Sequence, residues 1–398
     1  MKAQAQYGPA PSFAYMPALD GMRAICIVMV MASHFGLGSV VPGGFGVTIF
    51  FFISGLLITR QLLAEKRSTR RVDLFRFMMR RQLRLYPALL AMILLGGGLF
   101  LALGGQLPLP RLLAALFYYY NYFDMTQGGI PGRDSPFNVL WSLAVEEHFY
   151  LLFPLLVAWF GGREGRFARM LAAAILLVTL WRCAVAYSCT SGGSLCWGDP
   201  QSRTEAGTDT RLDCILYGAW LATMLGAEQS GRLSRLIQRR AAFLLGLALI
   251  VLSLALRNEL FRQSLRYTIQ GLALLPVVGG VLFAPFLSRA RALLSGSFMR
   301  LLGRLSYSLY LWHWALAACL LQITFGAVEP VSPQGKALLL HAAPLLLPLA
   351  FGAACLSYYG VERPLLRLRR RFGAHAPADQ PDAAKVPDPG SASMDVSD

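Results

Sequence analysis

The chain has 398 residues, 56% of them hydrophobic and 15% charged, with a net charge of +16. Soluble domains carry roughly 25% charged and about 45–50% apolar residues, so an ordinary soluble protein and a disordered one are both excluded. The basic residues fall in short clusters between apolar runs, which is how a polytopic membrane protein distributes them, and nucleic acid is excluded as a partner.

Met1–Met16 is polar and lacks the apolar core of a cleavable signal peptide, so 1–16 reads as a short cytoplasmic segment. Apolar segments follow near 18–37, 45–62, 85–104, 138–160, 167–188, 211–227, 241–256, 267–287, 304–325 and 337–361. Each approximates the 17–25 residues a helix needs to cross about 30 Å of hydrocarbon. The predicted fold is therefore all-α, a polytopic membrane helix bundle of about ten spans over residues 17–364. Leu112–Phe123 is short and aromatic and reads as an interfacial or re-entrant piece. One set of connections holds 25 Lys and Arg, the alternate set seven. That asymmetry predicts both termini in the cytoplasm and a multi-pass protein of a bacterial inner membrane. Residues 365–398 begin basic and then turn to Pro, Ala, Asp and Ser, as a disordered cytoplasmic tail does.

The seven cysteines form no metal-ligand pattern, and no metal is expected. Cys26, Cys214, Cys319 and Cys355 lie in apolar spans and read as small hydrophobes. Cys189 and Cys196 share an outward loop, SCTSGGSLCWGD. A disulfide between them, or one involving nearby Cys183, is left open.

Ionisable residues inside spans are costly and mark candidate functional positions. Asp20, Arg23 and His34 occupy the first span; Arg23 and His34 are eleven residues apart, on one face and separated by about 16 Å. His34 is either a histidine hydrogen-bonded within the bundle or a base working near neutral pH. In the fourth span, LWSLAVEEHFYLLFP, the neighbours Glu146 and Glu147 point to different faces, while Ser142, Glu146 and Tyr150 share one. Two carboxylates with His148 in a spanning helix are hard to explain as packing; the alternative is a loop that runs deep and hydrates them. Arg211 and Asp213 open the sixth span and read as an interfacial ion pair. Ser306, Tyr310 and His313 form one stripe of the ninth span, which an aromatic belt with a satisfied histidine also explains. Glu362 and Arg363 precede Pro364 at the end of the tenth, where helix termination and a local ion pair serve equally well.

Between the second and third spans, Arg76, Arg80 and Arg84 lie at i, i+4 and i+8, with Arg81 alongside. Positive-inside topology and lipid headgroups account for such a cluster. So does a phosphate site, because guanidinium forks bind phosphoryl oxygens bidentately, and coenzyme A is a donor of that chemistry. Gly43, Gly44 and Gly46 make no nucleotide fingerprint.

The segments LDGMRA with His34, GFGVTIFFFISGLLIT, RRQLRLYP, LWSLAVEEHFYLLFP, TRLDCILYGAWLA, LGRLSYSLYLWHW and YYGVERPLL occur in this order. Together they resemble the acyltransferase-3 family of integral membrane acyltransferases, from about Leu19 to Pro364. The resemblance implies a bundle of about ten helices that takes acetyl or other short acyl groups from cytosolic acyl-CoA. It implies delivery to sugar hydroxyls of surface glycans, exopolysaccharides, lipid-linked saccharides or secreted metabolites. The family's Arg–x10–His pattern falls on Arg23 and His34, and its Arg–x–x–Arg pattern on Arg81 and Arg84. Many relatives have an acidic residue at the position of Thr48, which puts a polar contact there in doubt. With no esterase-like domain after the last span, the chain resembles the stand-alone form, and a separate protein would supply that domain's work.

The expected function is O-acyl transfer, with acetyl as the acyl group. Arg80, Arg81 and Arg84 are expected to hold the acyl-CoA phosphates, with the pantetheine arm entering past Arg23, and His34, Glu146, Glu147, Arg23 and Asp20 are the expected catalytic residues. His34 is expected to act as general base or, alternatively, as an acyl carrier, with Glu146 or Glu147 orienting it. No cofactor is expected to be bound permanently. The expected partners are acyl-CoA, a saccharide acceptor, the lipid bilayer and a glycan-assembly complex. The rival expectation is a transporter or flippase for a lipid-linked or soluble saccharide, against which stands the absence of an internal repeat.

Overall fold

The computed structural model describes residues 15–126, 135–162, 164–227, 232–326 and 332–368. Among them there are helices and no strands, and the ten predicted spans each fall on one helix. Among the described residues, eight helices are long and apolar enough to cross a membrane: α1 (Pro17–Leu37), α2 (Gly43–Thr69), α3 (Leu74–Ala102), α4 (Leu140–Phe160), α5 (Gly165–Ser191), α8 (Leu265–Phe283), α9 (Ser297–Phe325) and α10 (Pro333–Leu366). Between them lie α6 (Thr208–Ala227), made less apolar by Arg211 and Asp213, and α7 (Arg240–Ala255), which is shorter. The fold is an all-α polytopic membrane bundle.

The outer surface follows from the solvent. Leu151, Leu152, Leu176, Leu177, Leu244, Leu245 and Leu345 are exposed. In water such a surface would aggregate, whereas hydrocarbon accepts it, and each helix satisfies its own backbone. Inside, small residues let helices touch. A Cβ on Gly55 of α2 would lie 1.9 Å from Ile215 O, and one on Gly218 of α6 would lie 1.8 Å from Phe52 O. The α2 and α6 backbones are thus in direct contact at both glycines, as small residues permit between membrane helices.

Three sequence expectations change shape here. The basic cluster does not stand apart from the third span but forms the first half of α3, whose start is capped by Asp73 accepting from Arg76 N at 2.9 Å. Leu112–Phe123 resolves into two short helices, Leu109–Leu116 and Tyr120–Thr126, separated at Tyr118, which has φ 57°. Arg211 and Asp213 do not pair with each other. Asp213 instead accepts from Arg182 Nη1 at 2.7 Å, with both side chains wholly buried. Arg182 also donates to Thr210 O (2.7 Å), Ser264 O (2.9 Å) and Thr268 Oγ1 (2.6 Å), so this cation is paired and hydrogen-bonded, as a buried charge must be.

Cys189 and Cys196 are joined in a disulfide and Cys183 is free, which settles the open pairing. The predicted end segments 1–16 and 365–398 lie outside the described residues except for 15–16 and 365–368.

Candidate active site

At its C-terminal end α1 is interrupted. After Ala32 it widens into a π turn, Ser33–Leu37, within which Phe35 (φ −89°, ψ 36°) and Gly36 (φ 94°, ψ −9°) leave helical geometry. Position 36 demands glycine twice over. Its φ is left-handed, and a Cβ there would lie 2.6 Å from Lys336 O. The interruption sits beside His34.

His34 Nδ1 is 2.9 Å from His313 Nε2, and the ring planes are within 6° of each other with centroids 5.2 Å apart, so the rings meet edge to edge. His313 Nδ1 is in turn 2.8 Å from Leu309 O. A carbonyl can only accept, so His313 Nδ1 holds the proton and, in the neutral ring, its Nε2 is an acceptor. His34 Nδ1 must then donate, which leaves the lone pair on His34 Nε2. This is the base–orienter logic of a triad, with a backbone carbonyl at its far end. Trp314 packs against His34 at 5.1 Å and is itself held by donation from its indole N–H to Ser135 O (2.9 Å).

A cavity of about 250 Å³ lies deeper in the bundle, lined by Arg23 of α1, Ser54 of α2, Arg81 and Arg84 of α3, Glu146 and Tyr150 of α4, and Tyr310 of α9. Ser142 and Ser306 also line it. Among the described residues no side-chain hydrogen bond or ion pair engages Arg23, Arg81 or Arg84, though Arg81 lies over the Tyr150 ring at 5.0 Å. Glu146, the one carboxylate of the lining, accepts from Ser54 Oγ (2.8 Å) and Tyr150 Oη (2.9 Å). Three guanidinium groups against one carboxylate make the cavity electropositive. His313 reaches it through Tyr310, whose ring is 5.7 Å away and whose hydroxyl is 2.7 Å from Ser142 Oγ.

The remaining candidates lie elsewhere. Arg80 makes a 2.9 Å ion pair with Glu65 and is not part of the lining. Glu147 points away from Glu146 and accepts from Gln82 Nε2 at 3.0 Å. Neither glutamate contacts His34, whose partner is His313. Asp20 accepts from Tyr15 Oη at 2.5 Å, outside the lining. Glu362 accepts from Ser308 Oγ and, at 3.4 Å, from Ser357 Oγ, while Arg363 lies over the Tyr359 ring. Arg211 lies over the Tyr267 ring at 3.8 Å and donates to Thr48 Oγ1 at 3.1 Å. The contact that the Thr48 departure put in doubt is therefore present, with a hydroxyl as acceptor.

Sequence reasoning did not anticipate Ser54, Gln82 or Arg182. For Arg182 a signal existed, a lone arginine in an apolar run. For the other two there was none.

The acyltransferase domain family, Acyl_transf_3, matches residues 16–359. The chain is similar to the O-acetyltransferase OatA of Staphylococcus aureus (strain NCTC 8325 / PS 47), 31% identical over 321 residues, covering 76% of this chain and 50% of that protein. It is also similar to the peptidoglycan O-acetyltransferase OatA of Listeria monocytogenes, 30% identical over 378 residues, covering 88% of this chain and 56% of that protein. The chain thus spans about half the length of these curated relatives. No solved structure matches it. With its motifs, its bundle and the match over residues 16–359 all in agreement, the chain belongs to the acyltransferase-3 family of membrane proteins.

Proposed function

We propose that the protein is a membrane O-acetyltransferase that moves an acetyl group from cytosolic acetyl-CoA to a sugar hydroxyl of a glycan on the other side of a bacterial inner membrane. Both termini lie in the cytoplasm in this reading, and Arg81 and Arg84, from the basic first half of α3, put the electropositive cavity toward that side. Arg81 and Arg84, unspent on the fold, hold the phosphates of the donor, and Arg23 lies on the route of its acyl end toward the middle of the bundle. His34 Nε2 takes the proton from the acceptor hydroxyl as its oxygen attacks the thioester carbonyl. The C–O bond forms, the C–S bond breaks, and the coenzyme A thiolate leaves and is protonated by the imidazolium. His313 keeps His34 in the tautomer that can do this. Serving as a separate partner, a glycan-assembly protein presents the acceptor.

The observation that carries this reading is the chain Leu309 O–His313–His34, which leaves one imidazole lone pair on His34, while His313 adjoins the electropositive cavity through Tyr310. The experiment is incubation of the purified protein with acetyl-CoA labelled in the acetyl group, following thiol release and label in an added saccharide. Release and transfer that both depend on His34 support it. Binding of saccharide with no thiol release would point to a transporter instead.

A further inference from the structure

A second and larger cavity, about 730 Å³, lies beyond the interruption of α1, with Ser33 and Gly36 in its wall on either side of His34. Its size is within the roughly 300–1,000 Å³ of ligand sites. The first turn of α2, the end of α7, the start of α8, the short helix Pro200–Glu205 and the start of α10 complete it. Its wall carries four cations, Arg257, Arg262, Arg266 and Lys336, against one carboxylate, Glu205.

Those cations are out of place by the topology rule. The side of the bundle poor in Lys and Arg has seven of them in its connections, and four of the seven line this one cleft. Membrane proteins select against cations on that side, so their convergence asks for a compensating cause. The fold does not supply one. Arg266 donates to Tyr267 Oη at 2.9 Å, but Arg257, Arg262 and Lys336 make no side-chain hydrogen bond or ion pair among the described residues. Glu205 is occupied by Gln201 Nε2 at 3.2 Å. The other carboxylate facing Arg266, Glu259, accepts from Gln263 Nε2 at 2.7 Å.

We infer that this cleft is the acceptor site and that the acceptor is an anionic saccharide, one bearing carboxylate or phosphate groups beside the hydroxyl to be acylated. The inference rests on the proposed acyl transfer and adds the substrate class. Sugar hydroxyls meet the polar wall of Ser33 and Gln270, the anionic groups meet the guanidinium forks, and the wall includes Ser33, the residue before His34.

The test is binding, read separately from chemistry. Protein in nanodiscs of uncharged lipid is titrated with chitotetraose, which is neutral, with a hyaluronan tetrasaccharide, which bears carboxylates, and with glucose 1-phosphate. The expected result is that at least one anionic probe binds about tenfold or more tightly than chitotetraose, with that advantage lost in Arg257→Gln/Arg262→Gln and at about 0.5 M salt. Preference between the two anionic probes assigns the charge to carboxylate or phosphate. Equal binding of neutral and anionic sugars, no detectable binding of any, or an anion preference untouched by the double substitution would overturn the proposal. Loss of the advantage when phosphatidylglycerol is added to the disc would also overturn it and assign the cleft to lipid headgroups. Acetyl-CoA binding and thiol release, measured on the same samples, report on acyl transfer independently. If they fail while anion preference holds, the enzyme reading falls and the binding site stands.

Discussion

His34 and His313, 279 positions apart in the chain, meet at 2.9 Å between Nδ1 and Nε2. On one side of the pair Tyr310 and Ser142 line the inner cavity; on the other Ser33 and Gly36 line the outer cleft. In the proposed reaction the imidazole pair stands between the donor cavity and the acceptor cleft.

Replacing the two histidines should have unequal effects. His34→Ala should reduce kcat by about 10²-fold or more, the range for a lost general base, with acetyl-CoA binding retained because the guanidinium groups are untouched. His313→Ala should cost less, about tenfold or more, because water can take its place as acceptor. His313→Gln should recover part of that loss, since its amide oxygen can accept from His34 Nδ1. Single-turnover acetyl transfer measures this. Equal losses in both alanine variants, with no recovery in His313→Gln, would remove the orienting role.

The arginines of α3 should separate by function although they are neighbours. Arg81→Ala and Arg84→Ala should raise the KM for acetyl-CoA with a smaller change in kcat, and lysine should restore it only partly, lacking the bidentate fork. Arg80→Ala should instead lower thermal stability in detergent, because among the described residues it leaves the mostly buried carboxylate of Glu65 without a counter-charge, held only by Asp73 N–H. An Arg80→Ala protein with normal stability and a raised KM would move Arg80 into the donor site.

What was legible in the sequence was whatever depends on local pattern. The apolar runs located the helices, and the eleven-residue spacing of Arg23 and His34 put both on α1. Adjacency of Glu146 and Glu147 predicts different faces, since successive helical residues are about 100° apart, and in the fold one reaches the cavity and the other Gln82. What was not legible depends on the other end of a contact. Nothing near His34 names His313 as its partner. Arg80 and Arg81 differ in role only because Glu65, on the preceding helix, stands beside one of them. Asp213 was matched to Arg211 because the two are close in sequence, but the fold brings Arg182 of α5 closer.

That misassignment yields its own expectation. Asp213→Ala should destabilise the bundle by about 3–5 kcal/mol, the range for breaking a buried ion pair, because Arg182 would keep its charge with only neutral acceptors. Asp213→Asn should be milder, since the amide oxygen still accepts. Denaturation in mild detergent measures both. Activity lost at unchanged stability would make Asp213 part of the chemistry and not of the frame.

The orientation of the bundle is open to a direct measurement. Single cysteines replacing Arg70, at the end of α2, and Ser194, inside the disulfide loop, are exposed positions on connections predicted to face opposite sides. Both should be made in a background where the five free cysteines are replaced by serine or alanine. In intact cells with a permeabilised outer layer, an impermeant maleimide should label Ser194→Cys and spare Arg70→Cys until the membrane itself is opened. The charge asymmetry of 25 against seven makes the reverse costly, since a flipped bundle would translocate the basic start of α3. The disulfide leans the same way, because Cys189–Cys196 persists only where the compartment is oxidising. Labelling of Arg70→Cys in sealed cells would invert the topology. The arginine-lined cavity would then face away from cytosolic acyl-CoA, and the proposed direction of transfer would fall with it.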